Sequence, residues 1–142
     1  MNSEKFEPQI IAMVCNWCTY TAADLAGTSR LAYPSNVRLV RLMCTGMIDA
    51  KYIIKAFLDG ADGVFIGGCH PGDCHYINGN LKAGKRIKGV GSIMEQFGFE
   101  PERLALKWIG ASEGPEFRKN MADFAETITR LGPSQVQSRM IL

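Results

Sequence analysis

The sequence lacks any uninterrupted apolar stretch approaching the roughly 18 residues of a membrane-spanning helix. No membrane-spanning helix is therefore expected. The opening residues, Met1 to Pro8, carry two acids, Glu4 and Glu7, and have no apolar region of the kind a secretory signal needs. A soluble cytoplasmic protein is expected. Charge of one sign is also scarce: 16 basic residues face 14 acidic ones, for a formal net charge of +2. A nucleic-acid surface would need a dense basic stripe, and none is present. The single basic run, Lys82, Lys85, Arg86 and Lys88, reads as a solvated helix face. Catalytic signatures are missing too: no phosphate-binding glycine loop of the P-loop type, no His-Glu-x-x-His and no Gly-x-Ser-x-Gly. Substrate chemistry is then expected elsewhere.

What the chain does have is enough apolar residue to fold unaided. It holds 142 residues, 46% hydrophobic and 21% charged, the proportions of one ordinary globular domain. Such a chain needs no disulfide or metal staple, so a metal would be there for function. It also has five cysteines, an odd number. In a reducing compartment these are better explained by metal binding or redox chemistry than by structural disulfides.

The apolar run from Gln9 to Val14 fits a strand buried on both faces and leads into Cys15-Asn-Trp-Cys18. Thr19 to Arg30 is helix-compatible, and Tyr33 to Asn36 is a turn. Val37 to Leu42 is a second strand, followed by Met43-Cys44-Thr45-Gly46. Asp49 can cap a helix through Leu58 with Ile53, Ile54, Phe57 and Leu58 on one face, ended by Gly60. Asp62 to Gly67 forms a third strand. Tyr76 to Phe97 has helical character weakened by four glycines, Gly79, Gly84, Gly89 and Gly91, and an irregular helix is expected. After a turn at Pro101, Leu104 to Ile109 is a fourth strand, and Gly114 to Leu131 a final helix. Residues 9–132 thus read as one domain and 133–142 as a tail without pattern.

Strand alternating with helix implies an α/β fold: a four-stranded parallel sheet with helices on both faces, in the flavodoxin-like order 2-1-3-4. Ligands of such sheets sit outside the carboxyl ends of the strands, where strand order reverses. Cys15 and Cys18 follow the first strand, Cys44 the second, and Cys69 and Cys74 the third. All five thiols therefore fall on one sheet edge. The last two belong to Gly67-Gly68-Cys69-His70-Pro71-Gly72-Asp73-Cys74-His75-Tyr76, whose glycines and proline let the backbone turn tightly around a bulky group.

Convergent thiolates favour a soft metal centre, and four suffice for zinc or for an iron–sulfur cluster. Iron–sulfur is the stronger reading, because zinc stabilises small folds that lack a core; a dithiol couple is the remaining alternative. Imidazole ligation is disfavoured, since His70 and His75 each directly follow a cysteine and neighbouring side chains point apart. The two histidines are expected to donate hydrogen bonds near the sulfurs or to a partner, and so to tune the reduction potential. Trp17 is expected to pack over the centre and shield it. A flavin at the same edge would find the cysteines in its way.

The strings Cys15-Asn-Trp-Cys18, Met43-Cys44-Thr45-Gly46 and Gly67 to Tyr76 resemble those of the methyl-viologen-reducing hydrogenase delta subunit family. So do Asp24-Leu-Ala-Gly-Thr-Ser-Arg30, Pro101-Glu-Arg-Leu104 and Ala111-Ser-Glu113. The resemblance implies a small [2Fe–2S] protein relaying electrons between a hydrogenase, or in some systems a formate dehydrogenase, and the flavin-bearing subunit of heterodisulfide reductase. Its context is the electron-bifurcating machinery of methanogenic archaea and some anaerobic bacteria. Cys15, Cys18, Cys44, Cys69 and Cys74 all match family cysteines, and the cluster needs four of them.

Overall fold

The computed structural model describes residues 6–28, 37–70, 72 and 79–133. Four strands, β1 (Ile10–Cys15), β2 (Val37–Leu42), β3 (Gly63–Gly68) and β4 (Leu104–Trp108), alternate with helices α1 (Thr19–Thr28), α2 (Ala50–Leu58), α3 (Gly79–Gln96) and α4 (Gly114–Leu131). The strands form one sheet in the order β2-β1-β3-β4, parallel throughout, as the alternation implied. The chain leaves β1 toward β2 on one side and then crosses back to β3 on the other. Strand order thus reverses between β1 and β3.

The two central strands are buried on both faces, which is why they read as continuous apolar runs. Val64, Phe65 and Ile66 of β3 are fully buried. Because successive strand residues point to opposite faces, Ile10, Ala12, Val14 and Phe65 meet α1 and α4, while Met13, Val64 and Ile66 meet α2 and α3. On α4 the buried residues Phe117, Met121, Phe124 and Ile128 recur at helical spacing and close the first layer. Ile53 and Phe57 of α2 help close the second. Asp49 caps α2 as its sequence suggests, its side chain accepting from the Lys51 amide at 3.2 Å.

Two expectations are corrected. Helix α3 runs unbroken from Gly79 to Gln96 despite its glycines. Each interior glycine costs about 1 kcal/mol relative to alanine, but the buried stripe Ala83, Ile87, Val90 and Met94 anchors the helix to the sheet and outweighs that cost. The basic run on α3 is also more than a solvated face. The Arg86 guanidinium donates to the carbonyls of Gly46, at 2.8 Å, and Ile48, at 2.7 Å, and pins the 3₁₀ turn Thr45–Met47. Among the described residues no helix is long and apolar enough to cross a membrane. The expected turn within residues 29–36 and most of the expected tail, 134–142, lie outside the described residues.

Candidate metal centre

The register of the sheet builds the site. Val14 of β1 pairs with Gly67 of β3, so Cys15 lies beside Gly68, and Cys69 follows at once. The two sulfurs stand 3.4 Å apart, and both residues are buried. That separation far exceeds the roughly 2.05 Å of a disulfide bond. The turn after β1 then brings round Cys18, whose amide donates to Cys15 Sγ at 3.3 Å. The Sγ atoms of Cys15, Cys18 and Cys69 all lie within 4.8 Å of one another, at the point where strand order reverses.

Small residues make this approach possible. A Cβ on Gly67 would come within 2.5 Å of Thr19 Cγ2. Thr19 opens α1, is fully buried, and donates its hydroxyl to the Ile109 carbonyl at 3.3 Å. The amino end of α1 therefore adjoins the sulfurs, and its partial positive charge favours thiolates there. Opposing this, burial, and after it the neighbouring Cys18 and Cys15, push the Cys69 thiol well above its ordinary range. Three sulfurs this close cannot all ionise without a cation among them, and a metal held by them would supply that charge.

Cys44 is also buried, at the start of the 3₁₀ turn, and its sulfur accepts from the Gly46 amide at 3.3 Å. It does not belong to the group of three described sulfurs. Cys74 and His75 lie outside the described residues. His70 is half-buried, and its Nε2 pairs with Glu113 Oε1. Glu113 also accepts from the Gly110 amide at 2.6 Å. That amide first, and His70 second, hold its carboxyl below the usual range. Trp17, between the two cysteines of the first loop, is 40% exposed, so part of its ring faces solvent.

Several residues at this edge had no separate signal in the sequence. Asn80 is buried at the start of α3 and donates to the carbonyls of Cys69, at 2.8 Å, and His70, at 3.0 Å, holding the loop after β3. Glu113, visible in the sequence only as part of a family string, joins that loop to the segment after β4 through His70 and Gly110. Thr45 is the most informative. Among the described residues its hydroxyl oxygen is buried without a hydrogen-bond partner, as expected beside a group that brings its own acceptor. Gathered thiols, close-packed glycine and an orphaned donor fit an iron–sulfur group. An open groove of about 680 Å³ lies elsewhere, over β1 and β2 beside α2, lined by Ile11, Met13, Val40, Leu42, Met47 and Tyr52 among others, and no cysteine lines it.

Comparison with known proteins agrees with this geometry. Residues 10–132 match the family described as methyl-viologen-reducing hydrogenase, delta subunit. The chain is 50% identical over 131 residues to an iron-sulfur subunit of the F420-non-reducing hydrogenase of Archaeoglobus profundus, covering 92% of this chain and 96% of the relative. It is 49% identical over 131 residues to the corresponding vhc iron-sulfur protein of the F420-non-reducing hydrogenase from Methanococcus voltae, covering 92% and 91%. A third relative belongs to the ferredoxin:CoB-CoM heterodisulfide reductase of Methanosarcina mazei and is 41% identical over 126 residues, which are 89% of this chain but 16% of that much longer protein. The chain belongs to the methyl-viologen-reducing hydrogenase delta subunit family.

Proposed function

We propose that this protein is an electron-transfer subunit carrying a [2Fe–2S] centre, held by four thiolates drawn from Cys15, Cys18, Cys44, Cys69 and Cys74. The observation that carries the reading is the group Cys15, Cys18 and Cys69, two of them buried and Cys18 half-buried, assembled from two strand ends at the switch point of the sheet. Cys44 and Cys74 compete for the fourth place. Residues 9–132 form the electron-transfer domain and 133–142 a tail. His70 and His75 stand outside the ligand set as hydrogen-bond donors. The bound centre supplies one-electron redox chemistry; the chain supplies sulfur ligands, exclusion of water and a site close to the surface, since Cys18 is only half-buried.

The donor is a hydrogenase or a formate dehydrogenase, and the acceptor the flavin-bearing subunit of heterodisulfide reductase, in the cytoplasm. Relatives named as hydrogenase iron-sulfur subunits support the first. The matched region within a heterodisulfide reductase chain supports the second, because there the two stand in one polypeptide. Anaerobic purification followed by iron, zinc and acid-labile sulfide analysis tests the reading. Iron and sulfide in equal amounts, a visible charge-transfer spectrum and a paramagnetic signal on reduction are expected. A colourless zinc protein, silent to reductant, would overturn it in favour of a zinc-stabilised interaction module. A metal-free protein that cycles between dithiol and disulfide would point to a redox couple.

A further inference from the structure

Thr45 is 1% exposed, and among the described residues its Oγ1 is without a hydrogen-bond partner. A buried hydroxyl left in that state forfeits the hydrogen bonds it would make to water, so it calls for an acceptor. Its position locates the missing acceptor. A Cβ built on Gly68 would lie 3.2 Å from both Thr45 Oγ1 and Thr45 Cγ2, so the threonine side chain rests on the Gly68 backbone. Strand alternation puts Gly68 on the same face as Val64 and Ile66, and Cys15 on the same face as Met13. The register Val14 with Gly67 makes Gly68 and Cys15 neighbours on that face. The hydroxyl therefore rests on the one residue that has Cys15 at its side and Cys69 next in the chain. Cys44 immediately precedes the threonine itself.

None of the gathered thiol sulfurs satisfies this donor. A zinc ion would bring no acceptor of its own. A [2Fe–2S] group brings bridging sulfides, which accept hydrogen bonds. Resting on the iron–sulfur reading above, we infer that Thr45 donates its hydroxyl hydrogen bond to a sulfur of the bound centre and thereby raises the reduction potential. The direction follows from charge: reduction adds negative charge to the sulfurs, so a donor aimed at them stabilises the reduced form more than the oxidised one.

Thr45→Val exchanges the hydroxyl for a methyl of similar size, and Thr45→Ser keeps the hydroxyl. Both variants and the parent are purified anaerobically with the centre in place, assayed for iron and sulfide, and titrated potentiometrically by the paramagnetic signal. Pulsed hyperfine spectroscopy in H₂O and D₂O follows exchangeable protons coupled to the reduced centre. The Val variant is expected to keep its iron, shift to a lower potential and lose one exchangeable-proton coupling, while the Ser variant stays near the parent on both counts. Should the Val protein prove insoluble, Thr45→Ala carries the same two readouts. An iron-loaded Val or Ala variant with unchanged potential and couplings would overturn the inference alone. A parent protein without iron would overturn the iron–sulfur reading and this inference with it.

Discussion

Cys15 and Cys69, 54 positions apart in the chain, bring their sulfurs within 3.4 Å because β1 and β3 are neighbours that the sequence visits first and third. Thiolates from separate strand ends can share a metal only while the sheet is intact, so loading and folding are coupled. Replacing Cys15, Cys18 or Cys69 by serine is expected to abolish iron retention, read by iron analysis and the visible spectrum. Cys44→Ser and Cys74→Ser are expected to differ from each other: one loses the centre, and the other keeps full iron and an unchanged spectrum. Full retention in Cys69→Ser would contradict the site.

Glu113 gives the site an acid limit. Its carboxylate is favoured in the fold, by the Gly110 amide first and His70 second, so its folded pKa lies below the value of 4.5 it would otherwise have. A depressed carboxylate contributes stability above its unfolded pKa and loses it as pH falls through the folded one. Glu113→Gln removes that contribution. Urea midpoints measured from pH 7 down to about 3.5 are expected to fall more steeply for the parent than for the variant, with the gap between them closing at the acid end. Parallel curves would show that the carboxylate contributes nothing.

Much of this could be read from the residues alone, and the reasons differ from place to place. Strands β1 and β3 were legible because burial on both faces leaves a run of Ile, Val, Ala and Phe that tolerates no polar residue. The meeting of Cys15 and Cys18 with Cys69 followed once β1 and β3 were neighbours, while Cys44 stands outside that group and Cys74 lies outside the described residues. Asn80 and Glu113 were not legible, because their role is to hold backbone groups far away in sequence, and an isolated polar residue carries no sign of its partner. Arg86 misled for a related reason: on a helix face of lysines its charge looked solvated, and only the fold brings the Gly46 and Ile48 carbonyls to it.

Gly67 tests how tightly the sheet edge is packed. The methyl of Gly67→Ala would fall 2.5 Å from Thr19 Cγ2, and Thr19 is fully buried and hydrogen-bonded, so it has little room to yield. Overpacking of this kind typically costs 1–3 kcal/mol, about 2 kcal/mol being expected here. Because Thr19 follows Cys18 directly, the push should also reach the sulfur cluster. Iron content per folded protein and the denaturation midpoint are both expected to drop. A double variant that also replaces Thr19 with Ser, removing the clashing methyl, should recover part of each loss.

Arg103 separates fold stability from the site. Its guanidinium is 1% exposed at the amino edge of the sheet, opposite the sulfurs. It donates to the Asp62 carbonyl at 3.0 Å, to Glu100 Oε2 at 2.8 Å and to the Gly132 carbonyl at 2.8 Å. One side chain thus ties the entry to β3, the turn before β4 and the end of α4. Arg103→Met leaves buried carbonyls without a donor, but Glu100 is partly exposed and regains water, which softens the loss. We expect about 3 kcal/mol, at the low end for breaking a buried charge pair, as a lower urea midpoint. Glu100→Gln keeps an acceptor for Arg103 and should cost less. Iron content and the spectrum of the folded fraction should match the parent in both variants, since the sulfurs lie a strand length away. A variant that kept its stability but lost its iron would mean that this edge communicates with the thiols, contrary to the structure.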